Sequence, residues 1–165
     1  MVQLSPDTRL TGWDGCSGYH YSDNVIYGFS HTHLSGTGVA DYCDILIMPT
    51  ISETRLTSGY IEENNKTNDG YGSSFDKDTE KASPGYYTVF LKDYNIKAEL
   101  SSTLRCGFHK YTFPESEEAN IIIDLTHRDK VLFSDIEFVS DTEILGTRIS
   151  SSWAKEQYIY FYAKL

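Results

Sequence analysis

Short runs in which β-branched and aromatic residues fill nearly every position constrain the fold of this chain most. The clearest are Tyr86–Leu91 and Tyr158–Ala163. Such runs are typical of β-strands, and no segment has the periodicity and caps of an amphipathic helix. The sequence therefore predicts an all-β protein. Its strands are predicted at Asp44–Pro49, Tyr86–Lys92, Ile96–Leu104, Cys106–Phe113, Ala119–Leu125, Asp135–Ser140, Glu143–Ser150 and Gln157–Leu165.

Turn-forming residues such as Ser83–Gly85 and Phe113–Ser116 separate these runs at intervals of about ten residues. This spacing predicts an antiparallel sandwich or meander. With 165 residues, the chain should form one domain with a substantial core. Met1–Pro6 resembles a strand entered in mid-course, and no turn follows the strand that ends at Leu165. We therefore expect a truncated sandwich.

The segment from Ser52 to Glu80 departs from the strand pattern. Within it, Glu62–Gly72 is polar and contains no aliphatic side chain. Because such a stretch cannot bury much apolar surface, we expect one long, exposed and poorly ordered polar loop here.

The charge balance limits the partners of the chain. Its formal net charge is −10, from 24 acidic and 14 basic residues. Nucleic acid is not expected as a partner, because phosphate binding needs a basic patch. Neutral glycans or divalent cations suit this charge better, although acidity also serves solubility alone. No apolar run approaches the roughly 18 residues of a membrane span, and no signal peptide is recognised.

Three cysteines, Cys16, Cys43 and Cys106, are too few and too widely spaced for a disulfide framework or a zinc site. We expect three mostly reduced thiols. One disulfide plus a free thiol is the alternative.

Two dense stretches carry the chemistry of the chain: GWDGCSGYHYSD at residues 12–23 and GFSHTHLSGTG at residues 28–38. They combine flat aromatic faces, polar tips and glycines, a mixture that suits a polyhydroxylated ligand such as a sugar. Trp13 would stack on the sugar ring and Asp14 would accept its hydroxyl hydrogens. The structural alternative is a core tryptophan followed by an Asx-turn.

His31 and His33 would point to the same face if they lay on a strand. Three interpretations are open: a metal site, imidazoles that bind or support the binding of sugar hydroxyls, and structural histidines bonded to backbone carbonyls. No further ligand with suitable spacing accompanies the pair for zinc. The following Ser35–Gly38 resembles a phosphate loop only weakly, because no helix is predicted after it.

A last polar group, Asp124 with His127, Arg128 and Asp129, follows the apolar run Ile121–Ile123. His127 and Asp129 could form an acid–base pair, or the group could be solvated turn residues. The sequence has no nucleophile elbow, and it does not single out a carboxylate pair for glycoside hydrolysis.

The two dense stretches resemble the N-terminal domain of glycoside hydrolase family 92, a family of bacterial exo-acting α-mannosidases of the Bacteroides type. Further resemblance lies in DILIMPT at residues 44–50, EKASPGYY at residues 80–87 and GFHKYTFP at residues 107–114. The resemblance runs nearly from end to end.

This resemblance implies a super-sandwich type of β-domain that packs against a C-terminal helical barrel, with the substrate pocket between them. Hydrolysis in the family inverts the anomeric centre and depends on calcium. The catalytic acid and base and the calcium ligands belong to the helical domain, so none of these, and no metal or catalytic residue, is expected in residues 1–165.

By matching position, the resemblance makes Trp13, Asp14, His20, His31 and His33 candidate contacts to an α-mannoside. It also implies that the whole enzyme works in the periplasm or at the outer surface, and that this chain alone does not hydrolyse mannosides. A stand-alone carbohydrate-binding module and a purely structural sandwich are the other functions considered.

Overall fold

The computed structural model describes residues 1–11, 15, 17–34, 42–59 and 69–165. Within this part the chain is all-β, as predicted, with one 3₁₀ turn at Lys77–Thr79 and no α-helix. No helix of these residues is long and apolar enough to cross a membrane. The strands are β1 Ser5–Asp7, β2 Val25–Ile26, β3 Gly28–Ser30, β4 Leu46–Ile51, β5 Ser73–Ser74, β6 Lys81–Ser83, β7 Tyr86–Leu91, β8 Ile96–Ser102, β9 Gly107–Thr112, β10 Ala119–Asp124, β11 Lys130–Ser140, β12 Glu143–Ser151 and β13 Gln157–Lys164.

The strands pair only in antiparallel fashion. Sheet I has the order β1-β3-β4-β10, sheet II the order β6-β7-β8-β9, and sheet III the order β11-β12-β13. β2 and β5 form a separate pair. Sheets II and III are meanders, whereas sheet I joins strands that are distant in sequence.

The main core lies between sheets I and II. Alternate residues of β7 and β8 point into it, and the apolar face of sheet I meets them. One buried cluster contains Phe29, Leu46, Met48 and Ile122 from sheet I together with Val89, Leu91, Ile96, Ala98 and Leu100 from sheet II. Burying a side chain of this size is worth about 1.5–3 kcal/mol, so this layer dominates the stability of the fold. The predicted β-sandwich is therefore confirmed.

Sheet III has two different faces. Its inner face carries the buried Ile144 and Arg148. Its outer face carries three rows of paired residues, and an exposed tyrosine ends each row on β13. The rows are Phe133–Ile149–Tyr158, Asp135–Thr147–Tyr160 and Glu137–Leu145–Tyr162.

Most predicted strands lie within two residues of their observed bounds. β11 is the exception, since it begins at Lys130 rather than at Asp135. A register shift between Val131 and Phe133 breaks the alternation there, which hid the start of the strand. β4 begins only at Leu46 because Ile45 has a φ of +57°, in the left-handed region. β2, β3, β5 and β6 were missed because two or three residues show no periodicity.

The prediction of an exposed loop at Glu62–Gly72 is wrong for its last three residues, which are buried. Tyr71 is only 1% exposed, and its hydroxyl donates to Asp124 at 2.6 Å. Ser73 pairs with Ile26 in β5, and Phe75 belongs to the core. Tyr71, Phe75 and the pairing of β5 therefore anchor this part of the chain. Residues 60–68 lie outside the described part.

Candidate functional site

The predicted contacts divide into two groups. Trp13 and Asp14 lie outside the described residues, as does the Ser35–Gly38 run. His20, His31 and His33 are described. β3 ends at Ser30, so His31 and His33, which follow it, do not lie on the strand. The surroundings of the three histidines differ.

His33 is 4% exposed and both of its ring nitrogens have partners. Nδ1 lies 2.6 Å from the carbonyl oxygen of Gln3, and Nε2 lies 2.8 Å from Oδ1 of Asp7 and 3.0 Å from the Ser30 hydroxyl. Nε2 of His127 lies 2.8 Å from the other oxygen of Asp7. Asp7 therefore sits between two imidazoles, inside the protein.

This arrangement shifts the pKa values of Asp7 and His33. Burial by itself would raise the pKa of Asp7, but the hydrogen bonds and positive charge of His127 and His33 outweigh it and hold that pKa well below its usual range. Burial would lower the pKa of His33, but the hydrogen bond and charge of Asp7 raise it. Since both nitrogens of His33 face acceptors, the ring carries two protons here and forms a buried ion pair with Asp7.

His31 belongs to a different chain of hydrogen bonds. Its Nδ1 donates to the carbonyl oxygen of Ile45 at 2.7 Å, so its Nε2 must accept from Nε2 of His109, 2.9 Å away. Nδ1 of His109 then accepts from the hydroxyl of Tyr111 at 2.6 Å. Burial lowers the pKa of His31, and burial followed by the charge of His31 lowers the pKa of His109 to about 3. Both rings are neutral at pH 7.

Both histidines thus bond a backbone carbonyl, which is the structural alternative stated above. A sugar hydroxyl that reached either ring would have to displace a protein partner. Direct contact from these rings stays a prediction that this geometry does not favour, whereas support of a neighbouring site is compatible with it.

His20 lies in a loop, residues 17–23, that β1 and its continuation hold in place. Thr8 accepts from the backbone N–H of His20 at 2.8 Å and donates to Asp23 at 2.8 Å, while Arg9 donates to the same carboxylate at 2.7 Å. Nδ1 of His20 lies 2.8 Å from the Ser22 hydroxyl. Its Nε2 has no hydrogen-bond partner among the residues described here. His20 is therefore the described candidate that is free to meet a ligand.

Lys77 fastens the other side of this loop, which we call the 17–23 loop. Its ammonium lies over three rings, with centroids at 4.5 Å for Phe75, 4.7 Å for Tyr19 and 4.9 Å for Tyr21. It also donates to the Tyr19 hydroxyl at 2.6 Å and to Glu80 at 3.1 Å. Cation–π contacts of this kind are worth about 0.5–1 kcal/mol each at exposed sites. The loop is thus pinned from both sides.

The group around His127 differs from the interpretation as solvated turn residues, whereas an acid–base pair of His127 and Asp129 stays a prediction. His127 is buried rather than solvated, and its Nε2 is engaged by Asp7. Asp129 accepts from the backbone N–H of Tyr42, and Asp124 accepts from Tyr71 and Thr126. These contacts hold separate segments of the chain together.

Sequence reasoning missed Arg148, which is fully buried on β12. Its guanidinium donates to Asp44 and to the carbonyl oxygens of Leu125 at 2.9 Å and His127 at 2.8 Å. Asp44 also accepts from Gln157 and Thr32. The sequence carries no signal for this buried pair, because the outward row of β12 (Leu145, Thr147, Ile149) is at least as apolar as its inward row.

Calcium does not suit the donors present in the described residues. Calcium takes six to eight oxygen ligands. The group of metal-capable side chains found here is Asp7, His33 and Cys43, which offers one carboxylate, one imidazole and one thiol. Asp7, His33 and Cys43 therefore support no catalytic step that involves calcium.

Known proteins match this chain over nearly its whole length. The profile of the glycosyl hydrolase family 92 N-terminal domain matches residues 1–165. The chain belongs to this family. Its fold also superimposes on that of the GH92 α-mannosidase BT3965 from Bacteroides thetaiotaomicron, solved in complex with mannoimidazole, with a TM-score of 0.93 and 40% sequence identity. A second structure of BT3965 gives the same TM-score and identity.

The GH92 inverting mannosidase BT2199 from Bacteroides thetaiotaomicron VPI-5482 is more distant, with a TM-score of 0.72 and 25% identity. The match covers 99% of this GH92 chain in the first two structures and 92% in the third. It covers only 21%, 22% and 19% of the mannosidase chains, so the chain spans about a fifth of their length. No curated protein sequence matches significantly. The predicted family is confirmed.

Proposed function

We propose that this chain is the N-terminal domain that completes the sugar pocket of an exo-acting, calcium-dependent, inverting α-mannosidase acting on mannose-containing glycans. The observation that carries the proposal is the match of 99% of the chain, at 40% identity, to an α-mannosidase solved with mannoimidazole. In this proposal a C-terminal helical-barrel domain supplies the catalytic acid, the catalytic base and the calcium ligands.

The outer face of sheet III supports a role as one part of a larger assembly. Tyr158, Tyr160 and Tyr162 on this face are each more than half exposed, and Phe133 and Leu145 extend the same surface. An exposed face rich in aromatic side chains, even one interrupted by Asp135 and Glu137, often marks a contact site. The helical domain of the same enzyme is the proposed occupant.

The 17–23 loop supports the pocket-completing role. Thr8, Arg9 and Lys77 fix its backbone and rings, and His20 keeps one ring nitrogen available. Binding groups held by rigid neighbours lose little entropy when a ligand arrives. We propose that Trp13 and Asp14, on the same stretch of sequence, form the mannoside contact together with His20, while His31 and His33 support it from within.

Activity measurements test this proposal on the complete protein that contains the chain. With calcium present, it should release mannose from aryl α-mannosides and mannobiose with inversion, as followed by NMR of the anomeric proton. The 165-residue chain alone should show no turnover, because an inverting site needs an acid and a base about 6.5–9.5 Å apart and the helical domain would supply both. Clear turnover by the isolated chain would refute the division of labour.

Trp13→Ala tests the pocket contact, with Trp153→Ala as the matched control. Trp153, the other tryptophan, is exposed in the turn between β12 and β13. Loss of a stacking contact should lower kcat/KM by at least about tenfold, since one aromatic–sugar contact is comparable to an aromatic pair of about 0.5–1.5 kcal/mol plus buried area. Equal effects of the two substitutions would contradict the assignment.

A stand-alone carbohydrate-binding module is the alternative function, and the isolated chain distinguishes it. Tight mannose binding by the 165-residue chain, seen as a change in Trp13 fluorescence, would favour the module. Weak or undetectable binding is expected for half of a pocket. From the family resemblance, we further propose a periplasmic or outer-surface location, which cell fractionation would test.

A further inference from the structure

A second cluster of chemical groups lies in the interior, away from the exposed side of the 17–23 loop. One donor atom each of Asp7, His33 and Cys43 lies within 4.8 Å of the others, and all three residues are buried. We propose that these three side chains form a structural binding site for a thiophilic divalent cation, Zn²⁺ first of all. The inference does not depend on the proposed mannosidase function.

The donor set is the first argument. Carboxylate, imidazole and thiolate are the three ligand types that zinc prefers. The same set suits neither calcium nor magnesium, which take oxygen ligands. With two anionic ligands, a divalent cation would leave the site electrically neutral, which a fully buried site requires.

The groups behind the ligands are the second argument. Nδ1 of His33 bonds the carbonyl oxygen of Gln3, which turns Nε2 inward. Nε2 of His127 bonds Oδ2 of Asp7, which leaves Oδ1 on the side of His33. Backbone carbonyls and second imidazoles or carboxylates play this orienting role around metal ligands. Both ligands are thus already held in the direction that a metal would need.

The backbone around the thiol is the third argument. Tyr42, Cys43 and Ile45 have φ values of +78°, +55° and +57°. Each left-handed residue other than glycine costs roughly 1–2 kcal/mol. Such strain persists where the surrounding structure requires a particular direction of a side chain. Here it turns the thiol of Cys43 into the interior, toward Asp7 and His33.

The spacing of the ligand atoms is the fourth argument. A Cβ atom on Gly18 would lie 2.2 Å from Oδ1 of Asp7 and 3.1 Å from Cδ2 of His33, so only glycine fits beside these two side chains. Oδ1 of Asp7 and Nε2 of His33 are 2.8 Å apart, and a tetrahedral zinc site would separate them to about 3.3 Å. A movement of about half an ångström therefore brings these two ligand atoms to the spacing of a zinc site. Binding releases two protons, one from the Cys43 thiol and one from between His33 and Asp7.

The chain provides a matched pair of variants. Cys43→Gly removes the sulfur and relieves the left-handed backbone, so this variant should fold. Cys106→Ser removes the exposed free thiol and leaves the cluster intact. The full chain should be expressed in medium supplemented with zinc, and separately refolded in zinc chloride, before exhaustive dialysis.

Metal content is then measured by mass spectrometry. We expect about one Zn²⁺ per chain for the parent and for Cys106→Ser, at least about tenfold less for Cys43→Gly, and a Tm roughly 5 °C higher for the zinc-loaded parent. Refolding in cobalt chloride should give a thiolate-to-cobalt charge-transfer band in the near ultraviolet. Absence of bound zinc by both routes, or an undiminished zinc content in Cys43→Gly, would overturn the proposal. Absence of the cobalt band in the parent would do so even if Cys43→Gly does not fold.

Discussion

Arg148 offers a severe test of how sheet III is attached to the sandwich. It lies on β12, is fully buried, and donates to the carboxylate of Asp44 and to the carbonyl oxygens of Leu125 and His127. Arg148→Met keeps most of the side-chain volume but removes the charge and all of these donors. Asp44 would then remain as a buried anion without its cation.

The expected loss can be worked out from these contacts. Removing one partner of a buried ion pair costs about 3–5 kcal/mol, because the remaining charge stays buried. The total stability of a domain is typically about 5–15 kcal/mol. Arg148→Met should therefore lose a large share of the free energy of unfolding, which urea titration followed by circular dichroism would measure.

Lys164→Met is the control for this experiment. Lys164 pairs with Glu143 at 3.3 Å on the same sheet, but its side chain is 67% exposed. Exposed pairs of this kind are worth about 0–1 kcal/mol. A loss below about 1 kcal/mol for Arg148→Met, equal to that of the control, would refute the reasoning. So would strict additivity with Asp44→Asn, because the double variant no longer strands the charge and should lose less than the sum.

Two further predictions concern the loop and the buried histidines. Lys77→Met should lower the free energy of unfolding by about 1–2 kcal/mol and speed amide exchange at residues 18–23, whereas Lys92→Met, which removes an exposed pair with Asp76, should do neither. For His109, the folded pKa of about 3 lies below the unfolded value of 6.5, so the unfolded chain binds the extra proton and stability falls as the pH drops from 6.5 toward 3. His109→Gln should reduce this slope of stability against pH by up to about 1.4 kcal/mol per pH unit. An unchanged slope would contradict the assignment of His109. Unchanged amide exchange in Lys77→Met would contradict the role of Lys77.

The strands could be predicted because most of them are long enough to show alternation. Ile96–Ser102 and Gln157–Lys164 each keep one row inward and one outward, and their composition already favours a strand. The strand predicted at Asp44–Pro49 begins and ends two residues before the observed strand Leu46–Ile51. The left-handed backbone at Ile45, which delays the start of the strand, leaves no trace in composition. Tyr71 was assigned to a loop because its partners are distant in sequence.

The candidate site was predictable only as a composition. The density of aromatic and imidazole groups singled out two stretches, whose contact with a ligand stays a prediction, and the free thiols of Cys43 and Cys106 agree with the expectation of reduced cysteines. The surroundings of His33 could not be predicted from residue spacing, because its partner Asp7 lies 26 positions away in the sequence, and His127, which bonds the same carboxylate, lies 94 positions away. Long-range pairing of this kind is a property of the fold alone.

The connectivity of sheet I has a consequence for how the chain folds. Sheets II and III are built from neighbours in sequence, so each can form by closing short loops. The pairing of Ile51 with Ala119 instead encloses the whole of sheet II. Contacts that close long loops form slowly. We therefore expect the meanders to gain protection early in refolding, and the joining of β4 to β10 to be the late step during which the still-open edges of both strands are most prone to aggregate.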